Sequence, residues 1–269
     1  MAVVISSESN EKVKNLRKLY HKRQRKKEGK FILEGYRIID EAFKARAEIE
    51  SIFMTPEFAS GEEGRDIIGR INNPEAVNLL EDKLLKKISD TYTPQGIIAV
   101  VREVNYNPED MFREAQIILV LDRIQDPGNM GTIIRTAVAA GADGIISLKG
   151  CVDIYNLKVL RSTMGAIFNI PVLHMDLAEF KEVIIEKGRD FEVVGTGLSG
   201  NRYHYEPTYS KPVMLIIGNE ACGVRDDLLK LSDYIVKIPI IGRIDSLNVA
   251  VATGIILYRI VEEKNLANG

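Results

Sequence analysis

The sequence predicts an α/β protein of two domains, and three observations lead to that class. Short apolar runs typical of strands alternate with segments that carry apolar residues at helical spacing along most of the chain. One of these runs, QIILVLD, is apolar almost without interruption, which is typical of a parallel strand covered on both faces. A polar segment that contains Pro108, REVNYNPEDMFREA, separates the two alternating parts and indicates a linker.

The domains are expected at residues 1–103 and 116–269, with the linker at residues 104–115. The first is a small α/β unit that begins with a helix over about residues 9–28. Its other elements are expected at the strands KFILE, IESIFM, AVNLL and GIIAVV and the helices YRIIDEAFKA, GRDIIGRI and DKLLKKIS. The second is a doubly wound parallel sheet. Its strands are expected near QIILVLD, DGIISL, NIPVLHM, FEVVGT, VMLIIG and YIVKIP, and its helices near GTIIRTAVAAG, LKVLRSTMG, LAEFKEVIIEKG, RDDLLKLS and SLNVAVATGIILYRIVEEK.

Composition argues against several classes of protein. No apolar run reaches the roughly 18 to 20 residues of a membrane span. The first residues, MAVVISSESNEKVK, lack the apolar core of a signal peptide, so a cytoplasmic protein is expected. Cys151 and Cys222 form no disulfide framework, and the three histidines stand at no metal-ligand spacing. We therefore expect neither disulfides nor a metal site.

Positive charge is concentrated near the start of the chain. The formal net charge is -2, but residues 11–30 hold ten Lys or Arg and two Glu, a local balance of +8. Clustered cations bind RNA or DNA better than dispersed ones, because each neutralised phosphate releases counterions. The alternative is an ordinary solvated helix face. The candidate RNA contacts are Lys22, Arg23, Arg25, Lys26 and Lys27.

The segment GTGLSG at residues 195–200 matches the glycine pattern of a dinucleotide-binding loop. Such a loop requires a helix to begin at the last glycines, and here the chain continues NRYHYEPTYSKP, which has no helical period. A tight loop at a strand end, where glycine lets a ligand approach the backbone, is the preferred interpretation. The chain has no GxxxxGK[ST] sequence, which excludes a P-loop nucleotide-binding site.

Three stretches place glycines and polar residues after predicted strands. They are LDRIQDPGNMGTIIRTAVAAGADGI at residues 121–145, LIIGNEACGV at 215–224 and IPIIGRIDSLNVAVATG at 238–254. Parallel strands end at the same edge of a sheet, so these stretches can converge there. Each alone is also compatible with ordinary turn chemistry, and Ser246 could simply cap the last helix.

Taken in order and spacing, NMGTIIRTA, IIGNEACGV and IPIIGRIDSLNVAVA resemble the three motifs of the SpoU (TrmH-like) RNA ribose methyltransferases of the SPOUT superfamily. The opening NEKVKNLRKLYHKRQRKKEGKFILEGYRIIDEA is similar to the substrate-binding domain that precedes the catalytic domain in the ribosomal-RNA branch. One departure is Asp245, since many relatives carry Glu before Ser-Leu-Asn.

The resemblance implies a parallel sheet with a deep trefoil knot, the cofactor S-adenosylmethionine, and a homodimer with the last helix near the interface. A helix without a polar face fits that position, because a partner subunit can bury its second side. Glycine in the pocket would let the cofactor approach the backbone. By resemblance, the pocket is lined by Thr196, Gly197, Gly218, Ile238, Ile240 and Leu247.

The implied reaction moves a methyl group from a sulfonium to a ribose 2′-hydroxyl. The family assigns the activating role to an arginine, here Arg135, held by Asn129, Glu220, Ser246 and Asn248. A guanidinium holds its proton very strongly and is therefore a poor general base. We therefore expect Arg135 to stabilise the developing alkoxide and to orient a phosphate, while water or a nearby group takes the proton. In the dimer, Arg135 would act on the cofactor of the other subunit.

The expected substrate is 23S ribosomal RNA, because of the added N-terminal domain. Three alternatives stay open at this stage. They are a transfer-RNA ribose methyltransferase, a non-catalytic RNA-binding protein with the same fold, and a nicotinamide-dependent oxidoreductase that uses GTGLSG.

Overall fold

The structure, a computed structural model, describes residues 4–188 and 190–267. These residues divide into two compact units. The first unit runs to Asn105 and also includes Tyr155–Phe168. The second unit contains Tyr106–Ile154 and the residues from Asn169 onward.

The first unit is built on a mixed sheet of five strands, in which β5 is antiparallel to both of its neighbours. The strand order is β1-β4-β3-β5-β2. The strands are β1 (Val4–Ile5), β2 (Lys30–Glu34), β3 (Ile49–Met54), β4 (Val77–Leu80) and β5 (Ile97–Arg102). The helices are α1 (Glu11–Lys18), α2 (Lys22–Glu28), α3 (Tyr36–Lys44), α4 (Pro56–Ser60), α5 (Glu62–Arg70) and α6 (Asp82–Ile88), with a short 3-10 turn at Pro74–Ala76.

The predicted strands and the helices that became α3, α5 and α6 are present in this unit, and two short elements were missed. Strand β1 has two residues and α4 has five, too few for a period to show in the sequence. Helix α4 begins at a local signal instead, because Thr55 accepts a hydrogen bond from the Phe58 amide and Pro56 follows it directly.

The predicted single helix over residues 9–28 is wrong, because the chain forms two helices that break at residues 19–21. The side chain of Arg25 explains how the break is stabilised. Its Nη1 donates hydrogen bonds to the carbonyl oxygens of Leu19 at 3.0 Å and Tyr20 at 2.8 Å. Carbonyls at a helix end need such donors once the chain turns away.

Arg25 is therefore a correction to the predicted RNA contacts. Its side chain is buried, and its guanidinium is engaged with the backbone, so its charge is not presented to an external phosphate. The other four candidates on α2, which are Lys22, Arg23, Lys26 and Lys27, are all exposed. Only these four stay predicted RNA contacts.

The second unit is built on a seven-stranded sheet in which every paired strand is parallel to its neighbour. This confirms the predicted parallel sheet. The strand order is β10-β12-β9-β11-β6-β7-β8. The strands are β6 (Ile117–Leu121), β7 (Gly144–Leu148), β8 (Val172–Met175), β9 (Glu192–Thr196), β10 (Arg202–Tyr203), β11 (Val213–Ile217) and β12 (Tyr234–Lys237). Strands β6, β7 and β11 are buried along their whole length.

The helices after residue 105 are α7 (Pro108–Phe112), α8 (Pro127–Ala139), α9 (Leu157–Thr163), α10 (Leu177–Lys187), α11 (Asp226–Leu229) and α12 (Val249–Ala267), with a 3-10 turn at Ala166–Asn169. Within the described part of the chain, no helix is long and apolar enough to cross a bilayer. The core beside β6 and β11 includes Ile118, Val120, Met214, Ile216 and Phe180.

Helix α9 belongs to the first unit, although the sequence placed it in the second domain. The ring of Tyr155 stacks on Phe31 of β2 at 4.3 Å, and Leu157 packs against the core formed by α1 and α6. Arg161 also forms an ion pair with Asp90. These contacts join residues more than 70 positions apart. Periodicity within a short window cannot report them.

The predicted linker at residues 104–115 is not a structureless connection, because it contains α7. Met111 and Phe112 of this helix are buried in the core of the second unit. The polar residues that suggested a linker are helix-start signals. Asn107 accepts a hydrogen bond from the Glu109 amide at 3.1 Å, and Pro108 occupies the first helical position.

We predict that Arg25→Ala destabilises the first unit by about 2 kcal/mol, because it leaves buried carbonyl oxygens at the end of α1 without their donor. Hydrogen-exchange mass spectrometry of peptides covering residues 11–34 measures this as faster local opening. Lys26→Ala, one position along the same helix and exposed, is the control and is expected to change stability by less than about 0.5 kcal/mol. Equal effects of the two substitutions would contradict a structural role for Arg25.

Candidate active site

A cavity of about 610 Å³ lies in the second unit, at the carboxyl ends of strands β9, β11 and β12. Its volume is within the range of sites that enclose small organic ligands. The lining comes from the loops after these strands and from the first turns of α12. All six predicted cofactor-binding residues line it, namely Thr196, Gly197, Gly218, Ile238, Ile240 and Leu247.

The glycine loop after β9 is a tight turn that leads into a strand. Gly200 donates its amide to the carbonyl of Gly197 at 3.1 Å, and β10 begins two residues later. A dinucleotide-binding loop would continue into a helix at this point. The interpretation of GTGLSG as a ligand-facing strand-end loop therefore fits the backbone.

Gly218 is required by the fold of its own loop, which is a different reason from the predicted one. A Cβ atom on this residue would lie 2.1 Å from the amide nitrogen of Val224 and 2.2 Å from the carbonyl carbon of Gly223. The loop doubles back at this point, and Asn219 and Gly223 exchange backbone hydrogen bonds at 3.1 and 2.9 Å. Gly197 is not crowded by protein, since the nearest atom to its Cβ position is 3.8 Å away.

Asn219 holds the same loop in shape through its side chain. Its Oδ1 accepts hydrogen bonds from the amides of Ala221 at 2.9 Å and Cys222 at 3.0 Å. Its Nδ2 donates to the carbonyl of Arg123 at 2.8 Å, which ties the loop to the end of β6. Asn219 was not among the predicted site residues, although Asn directly after a buried strand and Gly is a recognisable turn signal.

A chain of side-chain hydrogen bonds joins the three predicted motifs. Asn248 donates from Nδ2 to Oδ1 of Asn129 at 2.9 Å. Asn129 in turn donates from Nδ2 to Oε1 of Glu220 at 3.0 Å. The structure therefore brings together three of the five predicted catalytic residues, from segments about 90 to 120 positions apart.

Helix α8 begins earlier than the predicted opening near Asn129. Asp126 is its N-cap, accepting the amide of Asn129 at 2.7 Å, and Pro127 is the first helical residue. The amide of Asp126 also donates to Oε1 of Glu220 at 3.3 Å. Asn129 thus lies in the first turn, and Asp126 is a site residue that the sequence analysis missed.

The cap of the last helix is Asn248 and not Ser246. The Oδ1 atom of Asn248 accepts hydrogen bonds from the amides of Ala250 at 2.9 Å and Val251 at 3.3 Å, so α12 begins at Val249. Ser246 is exposed and lines the cavity, as does Asp245. Ser246 is therefore placed at the cavity without a capping role.

Arg135 is separate from this cluster within one chain. Its side chain is exposed on α8, and it is not among the residues that line the cavity. Helix α8 lies against α12, with Thr136 close to Gly254. Beside this contact, α12 carries exposed apolar side chains at Val251, Ile255 and Tyr258.

Asp122, directly after β6, is a buried carboxylate that was not among the predicted site residues. It accepts hydrogen bonds from Nε of Arg225 at 2.8 Å, from the amide of Arg225 at 3.0 Å and from Nε of Arg123 at 3.1 Å. Burial alone would raise the pKa of Asp122, but the hydrogen bonds and charge of the two arginines outweigh burial and hold the pKa below its ordinary value. The carboxylate fixes the point where the loop after β11 enters α11.

Within residues 4–188 and 190–267, no group of three or more His, Cys, Asp or Glu side chains is arranged to hold a metal ion. Cys222 is exposed and lines the cavity, whereas Cys151 is partly buried and donates from Sγ to the carbonyl of Leu121.

The part of the chain that contains these site residues matches the model of a known protein family. Residues 116–258, which contain the three joined motifs, match the SpoU rRNA Methylase family. The chain belongs to the SpoU rRNA methylase family. Residues 10–99 match the MRM3-like substrate binding domain, which agrees with the resemblance of the N-terminal segment.

Relatives of known name cover nearly the whole chain. The 23S rRNA (guanosine(2553)-2′-O)-methyltransferase RlmP of Bacillus subtilis is 35% identical, over 95% of this chain and 98% of the relative. The human mitochondrial rRNA methyltransferase 3 is 28% identical, over 87% of this chain and 68% of its own. The crystal structure of the SpoU methyltransferase AviRb from Streptomyces viridochromogenes with AdoMet superposes with a TM-score of 0.87 at 26% identity, covering 95% of this chain and 98% of that chain. The crystal structure of the AdoMet-bound rRNA methyltransferase from Sinorhizobium meliloti superposes with a TM-score of 0.84 at 31% identity. The match covers 97% of this chain and 98% of that chain.

As a member of the SpoU rRNA methylase family, the chain is an RNA methyltransferase that uses S-adenosylmethionine (AdoMet). The cavity fits this cofactor in size and in chemistry. Ile238, Ile240 and Leu247 offer apolar contacts suited to an adenine ring. Thr196 and the adjoining glycine loop offer backbone groups for the polar atoms of the cofactor.

We predict that Asp122→Asn lowers the free energy of unfolding at pH 7 by about 3 kcal/mol, because it breaks a buried, hydrogen-bonded ion pair. A carboxylate with a lowered pKa contributes stability above its unfolded pKa of about 3.9, and that contribution is lost as the pH falls through the lower folded value. The difference between wild type and variant should therefore shrink below about pH 4. Urea unfolding at a series of pH values measures it.

Asp110→Asn is the matched control. Asp110 forms an ion pair with Arg113, and the Asp110 side chain is 60% exposed. Exposed pairs contribute less than about 1 kcal/mol. A pH-independent difference between wild type and Asp122→Asn would contradict the assigned charge state.

Proposed function

We propose that the protein transfers the methyl group of S-adenosylmethionine to a ribose 2′-hydroxyl of 23S ribosomal RNA. The observation that carries the proposal is the hydrogen-bonded set Asn248, Asn129 and Glu220, of which Glu220 lines the cavity of about 610 Å³. It joins all three motifs of an RNA methyltransferase family.

The names of two relatives support the ribose as the acceptor. One is a 23S rRNA (guanosine(2553)-2′-O)-methyltransferase and another, from Streptomyces viridochromogenes, is a 23S rRNA (uridine(2479)-2′-O)-methyltransferase. The two bases differ, whereas the 2′-hydroxyl is common to both. We infer that the catalytic unit shared by these proteins and this chain recognises the ribose, and that other contacts recognise the base.

The bound cofactor supplies a methyl group activated by a sulfonium. The task of the protein is to align the hydroxyl with that methyl group and to stabilise the charge that develops on the hydroxyl oxygen. Asn129 donates a hydrogen bond to Glu220, and Asn248 caps the start of α12. These hydrogen bonds fix the positions of the polar side chains beside the cavity. A preorganised arrangement of this kind needs little reorganisation during the reaction.

Arg135 completes the site in this proposal. A guanidinium stays protonated at neutral pH, so Arg135 stabilises the developing alkoxide and orients a phosphate, while water or a neighbouring group accepts the proton. Its exposed position on α8 is consistent with action across a subunit boundary. The exposed apolar residues Val251, Ile255 and Tyr258 of α12 support a homodimer in which Arg135 of one subunit reaches the cavity of the other.

Ribosomal RNA is favoured over transfer RNA because residues 10–99 match a substrate-binding domain named after an rRNA methyltransferase group. The hydrogen-bonded set Asn248, Asn129 and Glu220 argues against a protein that has kept the fold and lost the chemistry. We also propose that the parallel sheet contains the trefoil knot of the family. The proposed location is the cytoplasm, where ribosomal RNA is found.

We predict that Arg135→Ala reduces methyl transfer by at least about a hundredfold while leaving AdoMet affinity within about twofold, since loss of one charge-stabilising donor costs about 3 kcal/mol. The assay follows labelled methyl from AdoMet into total RNA from cells that lack the protein. Nuclease digestion then locates the label on 2′-O-methylated nucleotides of one ribosomal RNA.

Arg113→Ala is the control, because Arg113 is an exposed arginine before the amino end of β6, the sheet end opposite to the cavity. It should leave transfer unchanged. Label on a base, or equal loss of transfer and AdoMet affinity in Arg135→Ala, would overturn the proposed chemistry or the proposed role of Arg135.

We also predict that replacing Lys22, Arg23, Lys26 and Lys27 by Gln weakens RNA binding and reduces the dependence of log K on log salt by about 0.7 to 0.9 per lost phosphate contact. The control variant replaces four other lysines by Gln and so removes the same four positive charges away from α2. These lysines are Lys83, Lys86, Lys181 and Lys230. The control should leave the slope of log K against log salt unchanged. Titrations of ribosomal RNA fragments at several salt concentrations give both slopes. Equal slopes for wild type and the α2 variant would identify the cluster as a solvated face.

A further inference from the structure

The second unit carries an exposed cluster of aromatic and cationic side chains that the proposed chemistry does not use. We call it the tyrosine platform, and it consists of Arg202, Tyr203, Tyr205 and Lys237. The rings of Tyr203 and Tyr205 are stacked, with centroids 5.4 Å apart and planes 8° apart. They are 37% and 49% exposed, so part of each ring faces solvent.

Two cations lie against aromatic rings in and beside the platform. Nζ of Lys237 is 5.1 Å from the centre of the Tyr203 ring, and the Arg202 guanidinium is 4.6 Å from that of Tyr234. Cation–π contacts of this kind hold the charged groups beside the stacked rings. A surface that offers π faces and positive charge together matches the two parts of a single-stranded nucleic acid, its bases and its phosphates.

The platform is continuous with the active-site cavity. Tyr203 of β10 is paired in register with Lys237 of β12, and Lys237 also lines the cavity. The next residue along the chain, Ile238, is one of the cofactor-pocket residues. A strand of RNA whose target ribose lies at the cavity therefore has the platform directly beside it.

The backbone beneath the platform is held by hydrogen bonds. The buried Tyr209 donates its hydroxyl to the carbonyl of His204 at 2.8 Å, and the His204 amide donates to the carbonyl of Lys237 at 3.0 Å. The Tyr203 amide donates to Oε2 of Glu206 at 2.6 Å. A surface fixed in this way loses little conformational freedom when a ligand binds.

We propose that the tyrosine platform stacks one or two nucleobases next to the methylated nucleotide, with Lys237 and Arg202 contacting the neighbouring phosphates. The proposal rests on the proposed function for its RNA strand and adds a second RNA contact surface, in the catalytic unit itself. Stacking accepts any base, so the platform positions an unpaired strand without reading its sequence.

A tryptophan reporter tests the stacking directly. The chain contains no tryptophan, so Tyr205→Trp introduces a single fluorophore into the full-length protein. Titration with an octamer of single-stranded oligoadenylate should quench its emission, because a stacked base quenches indole. Ile185→Trp is the control, since Ile185 is 79% exposed on α10, and its emission should not change. No quenching at position 205, or equal quenching at both positions, overturns the proposal.

Matched substitutions separate stacking from a structural role of the rings. Replacing Tyr203 and Tyr205 together by Leu removes the π faces, and replacing both by Phe keeps them. The Leu variant should bind the octamer about tenfold more weakly and raise KM for RNA by a similar factor, with kcat and AdoMet affinity unchanged. The Phe variant should stay within about twofold of wild type. Equal behaviour of the two variants, with thermal unfolding as in wild type, overturns the proposal.

The result separates this inference from the proposed function. Quenching without methyl transfer by the wild type supports an RNA platform and refutes the ribose chemistry. Methyl transfer with unchanged KM for RNA in the Leu variant supports the chemistry and refutes the platform. If the Leu variant instead changes the sedimentation of the protein and leaves octamer binding unchanged, the rings cover a protein interface and the proposal fails.

Discussion

The arrangement of the active site depends on the direction of one hydrogen-bond chain. Because Oδ1 of Asn248 accepts backbone amides at the start of α12, its Nδ2 must face Asn129. Asn129 then accepts with Oδ1 and has only its Nδ2 left for Glu220, which is an acceptor when ionised. The donors at one helix end thus set the orientation of two side-chain amides. Reversing either amide would place two donors or two acceptors face to face.

From the sequence, six of the seven strands of the parallel sheet were predicted, together with six of the residues that line the cavity. Buried parallel strands are apolar along their length, as in QIILVLD, and their ends converge by topology. The sequence was insufficient where long-range contacts decide the outcome. The guanidinium of Arg25 stabilises a helix break that periodicity cannot show, and α9 packs in the first unit through Tyr155 and Leu157. The residue type alone also does not distinguish a buried, ion-paired aspartate such as Asp122 from an exposed aspartate.

The glycines at the cavity show that the structure can give a residue a different role from the one predicted for it. Gly218 was assigned to cofactor approach, but its loop already requires it, because Val224 and Gly223 occupy the space that a Cβ would need. At Gly197 the surrounding protein leaves room for a methyl group. Substitution of Gly218 therefore reports on the shape of the loop, whereas substitution of Gly197 reports on whatever molecule occupies the cavity.

The contacts that define the site also determine when during folding it can exist. Asn129 meets Glu220 and Asn248 across 91 and 119 positions of sequence, and the loops that line the cavity follow β9, β11 and β12, which are all interior strands of the sheet. Contacts of such sequence separation form late, since the entropy of closing long loops opposes them. A nascent or partly folded chain therefore cannot hold the groups of the cavity together until most of the second unit has folded. Asn248 lies 119 positions after Asn129, so the polar set of the candidate site is complete only after the start of α12 has been synthesised.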